Sequence, residues 1–535
     1  MNHPTHIAIT GNAQHALENR TPGFHGTTYQ GKTFVPSIQQ QAIFDFAATG
    51  QGSAIVIAVA GSGKSTTMVR MLPLFPETAS VHMFAFNTPI AAELKTKIEA
   101  LGAETGRTFR NVRASTFHSI GYAAIIKKLG LPRGSVCPDG KKVGQLAKNL
   151  LGDVDYEMYA SFACKLVGLA KGQGFGAIVA VDEGNWLDLI RHHDMFLDDE
   201  NASEERAVEI ARSLLRASNE AAKRGSIDFD DQLYLPLLWR CRLWQNDVVI
   251  IDEAQDTNPV RRAIAKLALK PGGRLFAVGD PRQAIYGFTG ASHDALDLLR
   301  AEFNCRELPL TVSYRCPAAV GAKARELVDY FQTAPGAAQG CMEERTLKDA
   351  MPDLGPQDAI LCRNTAPLID LAFSLIGRGV GCAIMGRDIA SSLTGLIKRM
   401  KAKGIENLCS KLDAYRDREV SKYTAKGEEA KAEAVADRVA CVQAVVGHLA
   451  ESERTVPALV AKIEGMFADG GAVLQLATAH KVKGKEFRNV AILRPDLMPS
   501  KWARQEWQYQ QELNLQYVAW TRSTNALYFL TTDTF

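Results

Sequence analysis

The sequence predicts an α/β protein with parallel sheets, and three observations carry that expectation. Residues 54–59 are an apolar, partly β-branched run that breaks into the small-residue turn Ala60-Gly61-Ser62-Gly63 and then into a helix pattern from Thr66. Residues 248–251 are four β-branched apolar residues in a row, which marks a strand covered on both faces. Further short apolar runs alternate with amphipathic helical stretches, the pattern of parallel strands joined by crossover helices.

The first run carries chemistry at its end. Backbone N–H groups from Gly61 to Lys64 can point at an anion, and the helix start adds its dipole. Ala60, Ser62, Gly63 and Thr66 complete the cradle. Lys64 supplies a charge for β- and γ-phosphates, and the Ser65 hydroxyl can hold Mg²⁺. Ala58 stands where the general pattern of such loops has its first glycine. The strand at 248–251 runs into Asp252-Glu253-Ala254-Gln255-Asp256. Asp252 can hold the Mg²⁺ of a bound nucleotide, and Glu253 can orient and deprotonate an attacking water. One acid at a strand end is ordinary. This set, in a chain that also holds a phosphate cradle, implies nucleotide hydrolysis.

Composition limits the alternatives. With 535 residues the chain is long enough for three or four structural units. Its 62 basic and 59 acidic residues nearly cancel, so any path for a polyanion must be local. Ten cysteines occur with no C-x-x-C pair, which speaks against a disulfide framework or a zinc site and for a reduced, cytoplasmic setting. No membrane-spanning stretch is visible, so no membrane partner is expected, and the chain is read as a monomer or weak oligomer.

Taken in order, residues 1–32 are polar and aperiodic and read as a tail or loosely packed arm. Ser37 is a candidate N-cap for a helix at 38–46, and Gln39 in its first turn can hydrogen-bond an adenine edge. Strands are expected at 81–86 and 112–116, the second running into Thr116-Phe117-His118, where the strand ends of an open sheet bind ligands. Residues 121–226 read as a mainly helical insertion, with His192 and His193 in a polar loop. The strand at 275–278 ends in Gly-Asp-Pro-Arg-Gln; Gln283 suits a γ-phosphate sensor, and Tyr286 and Phe288 can offer stacking faces or core packing. Ser313-Tyr314-Arg315 opens a second α/β unit, with strands at 359–362, 380–385, 473–476, 490–493 and 526–530 and a helix from 506 to about 521 before Arg522. Residues 404–450 mix Lys and Glu at helical spacing and read as a solvated helical module.

The ordered set of motifs resembles the UvrD/Rep/PcrA-like superfamily 1A DNA helicases, and AFNTPIAAELKTKI and STFHSIGY resemble the F-box DNA helicase branch and small phage-type relatives. The resemblance implies two tandem RecA-like P-loop domains, each with an inserted, mainly helical subdomain. Their expected limits are 34–119 with 227–312, insertion 120–226, then 313–390 with 472–535 and a reduced insertion 391–471, after an arm at 1–33. It implies an ATP-dependent, Mg²⁺-using enzyme moving 3′ to 5′ on single-stranded or partly duplex DNA in repair, recombination or replication, nucleoid-associated if bacterial or phage-encoded. Gln39 would read adenine and Tyr314 stack on it. Arg315 and Arg522 would reach the γ-phosphate as arginine fingers, and Glu486 would contact the nucleotide. Residues 227–231 resemble the family's Asp-Phe-Asp-Asp element. DNA contacts would fall on Phe86, Asn87, Thr116, Phe117, His118, Tyr286, Phe288, Thr478, His480 and Lys483. Ala85, Thr289 and Lys485 depart from the family pattern.

Overall fold

The computed structural model describes residues 28–29, 32–49, 51–193, 195, 197, 202–285, 294–425, 429–466, 473–501, 503 and 506–534. Two six-stranded, wholly parallel sheets organise them. The first contains β1 (Ala54–Ala58), β2 (Val81–Ala85), β3 (Val112–Thr116), β4 (Asn246–Ile251), β5 (Leu269–Gly279) and β6 (Arg306–Leu310), in the order β3-β2-β4-β5-β1-β6. The second contains β7 (Cys341–Arg345), β8 (Ala359–Cys362), β9 (Cys382–Ile384), β10 (Leu474–Thr478), β11 (Phe487–Ile492) and β12 (Ser523–Leu530), in the order β7-β12-β11-β8-β10-β9. Central strands such as β1, β2, β4 and β8 are buried almost throughout, as continuous β-branched runs demand when helices cover both faces.

Helices α1 (Ile38–Thr49), α2 (Lys64–Arg70) and α3 (Thr88–Thr105) pack on the first sheet. The start of α1 is a reciprocal cap: Gln40 N–H donates to Ser37 Oγ at 3.2 Å, and Ser37 N–H donates to Gln40 Oε1 at 3.0 Å. After α4 (Phe117–Leu129), the chain leaves the sheet for α5 (Lys142–Leu150), α6 (Asp153–Gln173), α7 (Glu183–His192) and α8 (Glu204–Lys223), and returns through α9 (Asp231–Leu238). These helices enclose their own core, with Leu166, Trp186 and Leu214 fully buried. His192 ends α7 rather than lying in a loop, because Asp182 caps that helix and Trp186, Leu189 and Ile190 bury its apolar face.

The mixed-charge stretch of the second half is not a solvated module. Its helices, Ile405–Ala425 and Glu429–Gly447, bury Leu408, Leu412, Val439, Val442 and Val445 in the same apolar cluster as Ile360 and Leu476 of the second sheet. Alternating Lys and Glu occupy the outer faces, which hid the stripe from a charge-based reading. Where the two sheets meet, Val59, Ala60 and Ile285 of the first join Val320, Phe331, Tyr517 and Val518 of the second in one cluster.

Candidate active site

Parallel strands deliver their carboxyl ends to one edge, and the first sheet turns that edge toward the second half, whose Glu486 and Arg522 stand immediately before β11 and β12. β1 ends in the turn 60–63, where Gly61 (φ 73°) and Gly63 (φ 78°) take left-handed backbone conformations. Gly61 is required twice, since a Cβ there would also lie 2.7 Å from Ser313 Oγ of the second half. Its carbonyl accepts the Tyr314 N–H at 2.8 Å. α2 starts at Lys64, so the first-turn N–H groups lack helical partners and form an anion nest. Two expected members of the cradle are engaged elsewhere. Ala60 N–H donates to the Tyr517 hydroxyl at 2.8 Å, and Ser62 N–H closes the turn on Val59 O at 3.3 Å. The Tyr517 phenol takes one donor and the tight turn the other, leaving the nest to the residues after them.

The charged groups form one buried cluster. Lys64 Nζ lies 3.3 Å from Glu253, and Ser65 Oγ donates to Asp252 Oδ2 at 2.6 Å. Burial works against the Lys64 ammonium, but Glu253, Asp280 and Asp252 outweigh it, and its pKa is raised. Burial likewise works against the Glu253 carboxylate, and Lys64 and Lys483 hold it down at about 2. Asp252 is shifted up, first by burial and then by Glu253 beside it. Ser65 and Asp252 offer hard oxygen ligands, which fit Mg²⁺ completed by phosphate and water oxygens. Among the described residues no group of three or more His, Cys, Asp or Glu could hold a metal by itself. Glu253 sits at φ 53°, a left-handed conformation rare outside glycine, of a kind that clusters at functional sites.

The second half supplies cations and a hydroxyl across the cleft. Arg522 is 1% exposed; its Nε donates to Val518 O at 2.9 Å and its Nη2 approaches Gln283 Oε1 at 3.5 Å. Burial and then Arg315 lower it to about 10, which leaves it charged at neutral pH. Arg315 pairs with Glu486 and donates to Thr521 O at 3.3 Å. Gln283 Nε2 donates to Asp280 Oδ2 at 2.7 Å. The ring of Tyr314 is 53% exposed beside the turn, where a planar base can lie.

Several expected contacts are placed differently. Both amide atoms of Gln39 are engaged by Thr311, Oε1 accepting its N–H at 2.7 Å and Nε2 donating to its hydroxyl at 2.8 Å. Gln39 thus ties α1 to the segment that carries Tyr314. Phe117 is 2% exposed and stacks on Phe84 at 4.3 Å, so it belongs to the core and offers no face to a base. Lys483 is also withdrawn: its ammonium meets both Asp256 oxygens at 2.8 and 2.7 Å and Gln283 O at 2.6 Å, clamping the two halves together. Tyr286 and Phe288 lie outside the described residues.

The remaining candidates for a track stand at the carboxyl ends of strands. Phe86 lies under the Arg261 guanidinium at 4.6 Å, and Asn87 caps α3. Thr116 caps α4, with His118 in its first turn. Thr478 ends β10 in the second sheet, and His480 follows it. Burial, then Arg261, lowers His118 to about 4; burial, then Arg363, lowers His480 to about 4. Both rings are therefore neutral donors and acceptors near pH 7.

Sequence reasoning missed Asp280 and Tyr517. Asp280 is fully buried and accepts from the Tyr517 hydroxyl at 3.1 Å, so one phenol joins it to the Ala60 N–H. No local signal could have found this link, because Tyr517 and Ala60 are separated by 457 positions.

Family models match parts of both halves of the chain. The UvrD/REP helicase N-terminal domain matches residues 37–304, and the UvrD-like helicase C-terminal domain matches residues 391–534. The chain is 28% identical over 301 residues to the ATP-dependent DNA helicase Rep of Escherichia coli, covering 52% of this chain and 40% of that protein. It is 24% identical over 291 residues to DNA helicase II of Haemophilus influenzae, covering 52% and 38%. It is 24% identical over 520 residues to F-box DNA helicase 1 of Gallus gallus, covering 88% and 46%. The chain thus spans less than half the length of these curated relatives. With two RecA-like parallel sheets, the Lys64–Glu253 centre between them and a family match over half its length, the chain belongs to the UvrD/REP helicase family.

Proposed function

We propose that the chain is an ATP-dependent DNA helicase that moves 3′ to 5′ along single-stranded DNA. We take 34–119 with 227–312 and 313–390 with 472–535 as its motor domains. The observation that carries this reading is the cleft, where a phosphate nest and an acid pair of the first half meet two arginines of the second. Lys64 and the first-turn N–H groups bind the β- and γ-phosphates, and Tyr314 stacks on the base. Bound at Ser65 and Asp252, Mg²⁺ would neutralise phosphate charge. Glu253 orients the attacking water. Its low pKa belongs to the paired state; when Lys64 turns to a phosphate, the carboxylate loses its strongest opposing charge and becomes a better proton acceptor. Arg522 and Arg315 stabilise the charge that develops on the transferred group, and Gln283 senses its loss. Because these groups come from opposite sides of the cleft, occupancy and domain closure become one event. Closure draws the track residues after β2 and β3 toward those after β10, and opening releases one set first.

A second reading, a translocase that strips proteins from single strands with little unwinding, is favoured by the second insertion. Its helices share the core of the second sheet instead of forming a separate arm. A forked duplex beside a protein-displacement assay separates the two readings. The underlying mechanism is tested by ATP hydrolysis with and without single-stranded DNA. Glu253→Gln is expected to lower the stimulated rate by about 10²–10⁴. Hydrolysis that ignores DNA, or that is equal in the variant, would sink it and leave a nucleic-acid-binding module without productive turnover.

A further inference from the structure

The outer edge of the first sheet carries a groove that the mechanism above does not use. Its volume is about 900 Å³. Edge strand β3 lies at its centre, α3 and α4 flank it, and the segment leading into β4 forms part of its wall. Five exposed cations line it: Lys95, Arg113, Lys127, Arg133 and Arg242. Among the described residues none of the five is in an ion pair, and Glu99 is the one acid in the lining. For a chain whose basic and acidic residues nearly cancel, this is a strong local excess.

Two further features specify what would fill it. Trp244 is 62% exposed, an unusual position for an indole, and the Arg113 guanidinium lies over its ring at 5.0 Å. His82 lines the same groove while only 5% exposed. Its Nε2 is 2.7 Å from Ser115 Oγ, and its Nδ1 has no hydrogen-bond partner. Its ring stacks on Phe84 at 4.4 Å, so His82 forms part of the groove's floor. Cations around the wall and a flat aromatic platform match phosphodiester oxygens and a nucleobase.

The groove lies next to the track residues along the chain. Ser115 and Ser119 line it, and Thr116 and His118 of the track lie beside them in sequence; Arg113, three residues before Thr116, is about 10 Å along the strand at β-strand rise. We propose that this groove is a second single-stranded DNA site, which holds the strand where it leaves the track at Thr116 and stacks one base on Trp244. The inference rests on the reading of the chain as a DNA-dependent motor.

The test uses the full chain and fluorescent oligothymidylates of two lengths, one of about eight nucleotides, which a single binding surface accommodates, and one of about thirty. The double variant Arg113→Glu/Arg242→Glu and the single variant Trp244→Ala are each expected to weaken the longer probe about tenfold. Both should leave the shorter probe and its stimulation of ATP hydrolysis unchanged. Losing two phosphate contacts should also lower the slope of log affinity against log salt by about 1.4 for the longer probe. Trp244→Phe, which keeps a stacking face, should retain most of the affinity. Unchanged affinity and salt slope for the longer probe would overturn the proposal, as would equal weakening at both lengths. Displacement of a probe from the groove by oligoglutamate but not by oligothymidylate would assign it to an acidic peptide and overturn it too. Absence of DNA-stimulated hydrolysis in the parent chain would instead fail the motor reading, so the two failures are distinguishable.

Discussion

At the scale of residues, burial controls which groups respond to pH. Burial, with neighbouring positive charge, lowers His82, His118, His193 and His480 to about 4 from the ordinary 6.5. A depressed histidine stabilises the fold above its unfolded value, and that contribution is lost as pH falls from about 6.5 toward 4. Glu253 is depressed from 4.5 to about 2, so its contribution is intact down to about pH 4.5 and is lost only below that. Acid destabilisation between pH 6.5 and 4.5 should therefore come from histidines. The urea midpoint is expected to fall between pH 7 and pH 5, and to fall less in His82→Gln. An equal fall in that variant would remove His82 from the explanation.

At the scale of elements, the insertions divide by how they obtain a core. The first carries its own core and a buried charge cluster. Lys171 meets Asp231 at 2.8 Å, Ser218 Oγ at 3.0 Å and also Asp228, while Lys142 meets Asp231 and donates to Ser218 O at 2.8 Å. Asp228 and Asp231 belong to the Asp-Phe-Asp-Asp element, so this motif fastens α9 to α5 and α6. Lys171→Met leaves two buried carboxylates short of a partner and should cost about 3–5 kcal/mol. Chemical denaturation measures this, and a loss below about 1 kcal/mol would mean that water reaches the site. The second insertion borrows the core of its sheet. Leu412→Ala should destabilise the second domain by about 2–5 kcal/mol, although the surrounding sequence is highly charged. A negligible change would restore the picture of a solvated module.

At the scale of the whole molecule, the polar links between the two halves include Tyr517 to Ala60 and Asp280, Lys483 to Asp256, and Asn514 to Ala284 O at 3.0 Å. Helix Glu506–Trp520 thus touches the turn after β1 directly, through Tyr517. Tyr517→Phe keeps the packing but leaves the Ala60 N–H unsatisfied and Asp280 with one donor fewer. A loss of about 1–2 kcal/mol is expected, or about 5- to 30-fold in DNA-stimulated turnover, with the thermal midpoint little changed. Full turnover in this variant would show that the coupling runs elsewhere, through Lys483 or the arginines.

Much of this was legible in the chain because local rules were sufficient. The strand-turn-helix at 54–70, the acids after β4 and the cap at Ser37 each depend on neighbours within a few positions, where backbone geometry follows composition directly. Contacts between distant segments followed no such rule. Phe117 has the sequence context of a ligand contact but fills a space beside Phe84, and Lys483 finds a buried carboxylate 227 positions away. The sequence by itself determined two parallel sheets, the phosphate loop and the acid pair, because hydrophobic periodicity and turn chemistry act over short range. The tertiary structure alone decided which donors remain for an anion, which cations join the halves and which edge is left basic and open, because burial and charge pairing depend on what the fold brings together.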